Sequence, residues 1–227
     1  MKLGLAFSGS GAGALSSHIL AQWLRDNALE IEMLSACSLA AIPAMLWSRG
    51  ISREETGELI EAFSRSATPV QGVGLLDRMG VFRQKPVCEL AVSSVDVPTG
   101  VTVIYSDLLH SDAWNLKVLP LSGNEREALC ATLCPWRGSD PYPARGMQLC
   151  DFSVRYGCPF FPLKMAGMER LLSFSFAGGE LPAQIAADAL ISLTGKNADL
   201  HCTIADAESI EPFLQARLEE LYQMWLF

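Results

Sequence analysis

Apolar and polar positions alternate along this chain in a manner that predicts strands and helices in turn. The short apolar runs typical of buried strands cover residues 3–7, 31–35, 101–106, 171–176 and 200–205. The helix-like segments cover residues 15–27, 39–49, 53–64, 124–133, 181–193 and 208–225. Because strands and helices alternate, we expect an α/β fold of three layers, α/β/α, around a mostly parallel central sheet.

Two stretches rich in glycine and proline interrupt this order and predict irregular structure. Residues 67–80 contain Pro69, Gly72 and Gly74, and we interpret the stretch as a loop that could act as a mobile flap. Residues 135–146 hold three prolines and two glycines, which is typical of consecutive turns.

The second apolar run leads directly to Ser38, which has a small residue two positions before it and another two positions after it, Ala36 and Ala40. A nucleophile on a sharp strand-to-helix turn needs small residues at both places, because larger side chains would collide where the strand and the helix approach. A serine that caps a helix N-terminus fits the same pattern. Ser38 is therefore a candidate nucleophile, with a capping role as the alternative.

A loop of small residues, 8–14, follows the first strand and precedes the first helix. Its free backbone N–H groups are suited to an oxyanion hole beside Ser38. Its glycine spacing also partly fits a dinucleotide-binding loop, but the acidic residue expected at the end of the next strand is missing. No Gly-Lys-Ser/Thr follows, which excludes a triphosphate-binding loop. A plain strand-to-helix turn remains the third interpretation.

Composition narrows the class of protein and its partners. Half of the 227 residues are hydrophobic, 19% are charged, and the formal net charge is −8. These values predict one folded domain over residues 1–227 and argue against nucleic acid as a partner, since no basic surplus exists to neutralise phosphates. They also argue against electrostatic adhesion to anionic membranes, while transient apolar contact with a membrane surface stays open.

The seven cysteines are an odd number scattered through apolar segments, and we interpret them as reduced thiols. The first apolar run has only five residues, fewer than the core of a secretory signal peptide. We therefore expect a cytoplasmic protein. No histidine pair has metal-ligand spacing, and we expect neither a metal nor a cofactor.

Residues 146–151 predict a further strand, which ends in the carboxylate of Asp151. Read alone, Asp151 is a turn or cap residue. Together with the small-residue loop and the serine turn, in this order and spacing, it resembles the patatin-like phospholipase family. That family shows a Gly-Gly-Gly-x-Arg-Gly loop, a Gly-x-Ser-x-Gly elbow and a strand closing in Asp-Gly-Gly or Asp-Gly-Ala. The resemblance covers roughly residues 3–165.

The resemblance implies a patatin-like fold and a Ser-Asp dyad that cleaves carboxylic esters of lipids or other small esters. Ser38 would attack the ester carbonyl, and Asp151 would orient and deprotonate it. The backbone of Gly9, Ser10, Gly11 and Ala12 would hold the oxyanion.

The chain departs from the family pattern at all three motifs. The departures are Ser10, Gly13 and Ala14 in the loop, Ala36 and Ala40 in the elbow, and Phe152 and Ser153 after the aspartate. They make a lipid- or acyl-binding pseudoenzyme of the same fold the first alternative.

A Ser-His-Asp triad is the second alternative, because the order Ser38, Asp151, His201 is that of α/β-hydrolases. His201 opens an apolar strand-like run, where a half-buried histidine is common. The other two histidines, His18 and His110, fall in a helix and a polar loop.

The closing helix, 208–225, has one largely apolar face. We expect this face to pack on the sheet. A homodimer contact and docking to a lipid surface are the alternatives. An interaction module that uses this helix is a further alternative to an enzyme.

Overall fold

The computed structural model of the chain describes residues 2–9, 14–15, 17–26, 30–135, 140–153, 157–176 and 200–204. Within these residues, nine strands form one sheet, and the helices pack on it. The strands are β1 (Leu3–Gly9), β2 (Ile31–Ala36), β3 (Glu89–Asp96), β4 (Thr102–Tyr105), β5 (Leu116–Leu119), β6 (Tyr142–Ala144), β7 (Met147–Asp151), β8 (Arg170–Phe176) and β9 (Leu200–Ile204). The helices are α1 (Ser17–Asp26), α2 (Ala41–Ser48), α3 (Arg53–Ser64), α4 (Pro69–Arg78), α5 (Glu125–Leu133) and α6 (Phe161–Met165).

The sheet is mixed but mostly parallel, in the order β5-β4-β3-β2-β1-β8-β9. The five strands from β3 to β9 in this order all run in the same direction. The pairs β3–β4, β3–β7 and β6–β7 are antiparallel. The predicted α/β class with a mostly parallel central sheet is thus confirmed.

Both faces of the sheet are covered, which explains why its central strands read as continuous apolar runs. On one face, Phe7, Leu34 and Val92 pack with residues of α2, α3, α4 and α5. On the other face, Ala6 and Met33 pack with residues of α6 and the segment before it. The described part therefore has the three layers expected, with the larger helical layer on the face that carries α2 to α5.

The stretch 67–80 is not the predicted loop, and the interpretation as a mobile flap is wrong. Most of it forms α4. The N-cap residue of this helix is Thr68, whose side chain accepts a hydrogen bond from the N–H of Gln71 at 3.2 Å. Pro69 occupies the first turn, and Gly80 follows the helix with a φ of 81°. A proline at the start and a glycine after the end are helix boundary signals, and here packing of the buried face outweighs the weak helix propensity of the internal glycines.

Other elements differ from the prediction in smaller ways. β6 lies in the segment expected to hold only turns, where it forms a hairpin with β7 through Arg145 and Gly146, both of positive φ. β3, β5 and α6 were not predicted. The predicted helices over 181–193 and 208–225 lie outside the described residues. Among the helices that the structure describes, none combines the length and the apolar character needed to span a bilayer.

Candidate active site

Two strand ends meet head to head at one edge of the sheet, and this meeting brings Ser38 and Asp151 together. The first half of β3 pairs with β2 up to Val92, opposite Ala36. Its second half pairs antiparallel with β7, where Ser94 lies opposite Asp151. β7 therefore lies along the same edge of β3 as β2, beyond the end of β2, and runs antiparallel to it. Two residues along β3 correspond to about 7 Å, so the ends of β2 and β7 face each other across a short gap.

Ser38 begins the 3-10 turn Ser38–Ala40 that links β2 to α2, and its φ is 58°. A left-handed backbone is uncommon for a residue other than glycine and marks a strained turn. The residue in the N-cap position of the turn is Cys37, and it makes no side-chain capping bond. The predicted capping alternative for Ser38 is therefore wrong. Its hydroxyl instead lies close to the carboxylate of Asp151 and lowers the pKa of that carboxyl.

Asp151 is buried, and the loss of hydration raises the pKa of its carboxyl to about 6. Three groups oppose this rise. The N–H and the hydroxyl of Ser153 donate to Oδ1 and Oδ2 at 2.9 and 2.8 Å, and the nearby Ser38 hydroxyl also lowers the pKa. The bond to the N–H two residues ahead is that of an Asx turn, so Asp151 shapes the turn after β7 as well as facing Ser38.

The C-terminal end of α5 contacts both strand ends. The Thr132 hydroxyl accepts from the N–H of Ser38 at 2.9 Å and donates to the carbonyl of Ser93 at 2.8 Å. Two residues later, the carbonyl of Cys134 accepts from the N–H of Asp151 at 2.8 Å. One helix end therefore fixes the backbone of both candidate catalytic residues. Sequence reasoning missed Thr132, because a lone threonine in a helix carries no local signal of such a contact.

The residues that flank Ser38 leave no room for larger side chains. Ala36 and Ala40 are both completely buried, so the two alanines serve the function that glycines serve in tighter turns. The neighbouring Cys37 is also buried, and loss of hydration together with the negative charge of Asp151 raises the pKa of its thiol well above the usual range. A thiol that stays protonated is a poor nucleophile, so Ser38 is the stronger candidate at this turn.

Gly9 is the one predicted oxyanion-hole residue that the structure describes. It ends β1 with a φ of 130°, a conformation that glycine adopts without steric cost. β1 packs against the turn at Ser38, and the carbonyl of Phe7 accepts from the N–H of Cys37 at 3.2 Å. The end of β1 thus lies beside the candidate nucleophile. Ser10, Gly11 and Ala12 lie outside the described residues, as does Gly13.

A small groove opens next to the serine turn. Its volume is about 270 Å³, and its lining is partly apolar, from Leu15, Leu39, Phe63 and Pro69, and partly polar, from residues 64, 66 and 68. Leu39 directly follows Ser38 in the chain, so the groove begins one residue from the candidate nucleophile. A larger cleft of about 1100 Å³ is lined by Glu30, Glu32 and Glu89 among others, at the opposite end of the parallel strands.

The sheet register separates the histidine of the alternative triad from the serine turn. His201 lies opposite Ser173 of β8, which in turn lies level with Ala6 and Ser35. β9 lies three strand positions from β2, and at about 4.8 Å per position this separation is about 14 Å. This register favours the dyad.

The other two histidines have no contact with Ser38 or Asp151 among the contacts that the described residues make. The His18 ring donates from Nδ1 to the carbonyl of Leu15 at 3.1 Å, and His110 is exposed in the loop between β4 and β5. Across the described ranges, no group of three or more His, Cys, Asp or Glu side chains is arranged to hold a metal.

Comparisons with known proteins leave the family open. No family model matches the sequence, and no curated protein matches it. Among solved structures, VipD from Legionella pneumophila is similar over 86% of this chain and 54% of its own, with a TM-score of 0.43 and 10% identity. The chain spans about half the length of VipD. The chemistry of the site is therefore argued from its own geometry.

The arrangement has the parts needed to activate a hydroxyl. A serine on a strained turn lies beside a buried carboxylate, which can accept its proton. A carboxyl with a pKa of about 6 is ionised at neutral pH and is a stronger base than an exposed aspartate. The ends of β1, β2 and β7 lie at the carboxyl edge of the parallel strands, where open α/β sheets bind ligands.

Proposed function

We propose that the protein is a serine esterase that hydrolyses carboxylic esters, including those of lipids, through a dyad of Ser38 and Asp151. The observation that carries this proposal is the left-handed Ser38, whose hydroxyl lies beside a buried carboxylate. A strained serine with an adjacent base is the usual signature of an activated nucleophile. The resemblance of the three sequence motifs to patatin-like phospholipases agrees with this chemistry.

In the proposed reaction, Asp151 accepts the hydroxyl proton while the Ser38 oxygen attacks the ester carbonyl. The resulting oxyanion is held by backbone N–H groups of the segment that starts at Gly9. The carbonyl reforms as the alcohol leaves with the proton from Asp151, and an acyl-serine remains. Asp151 then deprotonates a water molecule that attacks the acyl-serine, which releases the acid and restores Ser38.

The groove beside Leu39 is suited to the acyl side of the substrate. Its lining includes Leu15, Phe63 and Pro69, and its volume of about 270 Å³ is at the low end of small-molecule sites. A short acyl chain fits this space best. A short p-nitrophenyl ester such as the butyrate is therefore the first substrate to test.

The decisive experiment combines hydrolysis of that ester with labelling by a fluorophosphonate, which reacts with activated serines. Ser38→Ala should abolish both signals. Asp151→Asn should reduce hydrolysis by about 10²-fold or more, since it removes the base. The double variant should be no worse than Ser38→Ala, because the two residues act as a unit.

His201→Ala is the matched control, and it should retain hydrolysis within a few-fold of the wild type. A loss of about 10²-fold would instead support the triad. A folded wild-type protein that neither labels nor hydrolyses would contradict the proposal and favour the pseudoenzyme, which binds an acyl group without turnover.

A further inference from the structure

Both oxygens of the Asp151 carboxylate are occupied by a single neighbour. The backbone N–H of Ser153 donates to Oδ1 at 2.9 Å, and its hydroxyl donates to Oδ2 at 2.8 Å. These two bonds fix the plane of the carboxylate from the side away from β7. Each carboxylate oxygen has two lone pairs, so the carboxylate can still accept a hydrogen bond from the nearby Ser38 hydroxyl.

A buried carboxylate needs such donors to stay ionised. Only 7% of the Asp151 surface is exposed, and burial without partners would favour the protonated acid. A protonated Asp151 could not accept the proton of Ser38. The donors that keep it charged are therefore as necessary for the proposed chemistry as the carboxylate itself.

We propose that Ser153 is a positioning residue that keeps Asp151 ionised and holds its carboxylate toward Ser38. This inference rests on the proposed function of the dyad and extends it to a residue that does not touch the substrate. The backbone bond would survive any substitution except proline. The hydroxyl bond depends on the side chain and is the part that a variant can remove.

The other groups around Asp151 do not replace this hydroxyl. The thiol of Cys37, at the end of β2, donates to the carbonyl of Gly157 at 3.7 Å and stays protonated, because burial raises the pKa of that thiol. From α5, the contact is the backbone carbonyl of Cys134 with the N–H of Asp151. The next carboxylate along β3, Asp96, is engaged by the hydroxyl of Thr99 and by the N–H of Gln148. Within the described residues, no cation is recorded against Asp151.

Removal of the hydroxyl should raise the pKa of Asp151, because a hydrogen bond to the charged form lowers it. Loss of a hydrogen bond from a hydroxyl to a buried carboxylate should raise the pKa of the carboxyl by about one unit, which is a tenfold change in proton affinity. Starting from a pKa of about 6, the Ser153→Ala variant should lose about twofold in kcat/KM at pH 7 and about tenfold at pH 5. Above pH 9 the two proteins should converge, since Asp151 is then ionised in both.

The test measures the carboxyl directly and the reaction separately. Full-length protein with ¹³C-labelled aspartate carboxyls is titrated by NMR, and the Asp151→Asn variant identifies the resonance. Ser153→Ala should move the midpoint up by about one unit. Ser153→Thr retains the hydroxyl and should keep the wild-type midpoint, and Ser153→Cys, with a weak S–H donor, should lie between the two. The pH profile of kcat/KM is recorded for the same proteins.

The inference is supported if the midpoint and the acidic limb of the profile move together in Ser153→Ala and return in Ser153→Thr. It is overturned if the Asp151 midpoint stays the same in Ser153→Ala and Ser153→Cys, or if activity falls equally at every pH. If the midpoint moves but no protein shows Ser38-dependent hydrolysis, the effect of Ser153 on the carboxyl stands and the proposed esterase function fails. The two failures are thus distinguishable.

Discussion

Ser38 has an uncommon backbone conformation, and the contacts around it explain how the fold sustains it. A positive φ in a residue other than glycine costs about 1–3 kcal/mol, and it persists only where the surrounding structure holds the residue in place. Here the N–H of Ser38 is bound by Thr132, and the preceding N–H, of Cys37, is bound by the carbonyl of Phe7. A helix and the neighbouring strand therefore hold the strained turn in place from two sides.

The hydroxyl of Thr132 offers a direct test at this scale. Thr132→Val keeps the shape of the side chain but leaves the N–H of Ser38 and the carbonyl of Ser93 without their partner in a buried site. Each unsatisfied buried group costs about 1–3 kcal/mol. We expect the free energy of unfolding, measured in urea, to fall by about 2–6 kcal/mol for the two groups together, and fluorophosphonate labelling of Ser38 to slow. Thr132→Ser keeps the hydroxyl and should retain labelling; equal labelling rates in Thr132→Val and the wild type would contradict this account.

At the scale of elements, α5 joins parts of the molecule that are far apart in the chain. Its first residue, Glu125, forms a buried ion pair with Arg49 at the end of α2, with a nitrogen-to-oxygen distance of 2.8 Å. Its last turn and the residue after it bind the serine turn and the end of β7 through Thr132 and Cys134. The helix thus connects the element that follows Ser38 to the strand that carries Asp151.

The packing of α3 against α4 depends on the absence of a side chain at Gly72. A Cβ atom there would lie 2.5 Å from the ring of Phe63, a separation that real contacts do not reach. Phe63 also lines the groove beside Leu39. The glycine that suggests a loop in the sequence is therefore the residue that lets the two helices approach and shapes the groove.

Alanine substitutions at two glycines should separate this packing effect from helix propensity. Gly57, in the middle of α3, has open space around it, so Gly57→Ala should stabilise the protein by up to about 1 kcal/mol. Gly72→Ala gains the same propensity but displaces Phe63, and overpacking typically costs about 1–3 kcal/mol. We expect Tm to rise for Gly57→Ala and to fall for Gly72→Ala. A rise in both would show that the helices can separate without loss.

At the scale of the whole molecule, one buried carboxyl links folding to pH. Burial raises the pKa of Asp151 from an ordinary 3.8 to about 6 in the folded chain. Between these values the folded state binds the proton more tightly than the unfolded state, so this group makes the protein more stable as the pH falls. The difference of about two units corresponds to about 3 kcal/mol. The ionised carboxylate that the reaction needs thus costs the fold stability at neutral pH.

Urea unfolding at pH 4 and pH 7 measures this linkage. Asp151→Asn removes the titrating group, so on going from pH 7 to pH 4 its stability should gain about 2 kcal/mol less than that of the wild type, since the unfolded carboxyl is already partly protonated at pH 4. Asp112, which is exposed in the loop between β4 and β5, is the matched control. Asp112→Asn should keep the wild-type dependence. Identical pH dependence in Asp151→Asn and the wild type would show that the folded carboxyl titrates normally.

Local patterns were sufficient to predict much of the fold. The apolar runs of β1, β2, β4, β8 and β9 and the helical spacing of α2, α3 and α5 lie close to the predicted bounds, because each of these segments carries its own periodicity. Small residues around Ser38 indicated a tight turn, and a lone aspartate at a strand end indicated a second polar group. These signals are contained within a few neighbouring residues.

The tertiary structure decided what depends on distant residues. β3 contains two serines and shows no clear alternation, yet it is buried on both faces, with strands on both of its edges. α4 exists although it contains two internal glycines, because one of them lets it pack closely against α3.

The juxtaposition of Ser38 and Asp151 arises because β3 is shared end to end by β2 and β7. Spacing along the chain carries no information about such a contact, since the two pairings that create it join strands more than fifty residues apart and are fixed by the packing of the whole sheet. The sequence by itself determined which residues could do chemistry, and the sheet topology decided which of them meet.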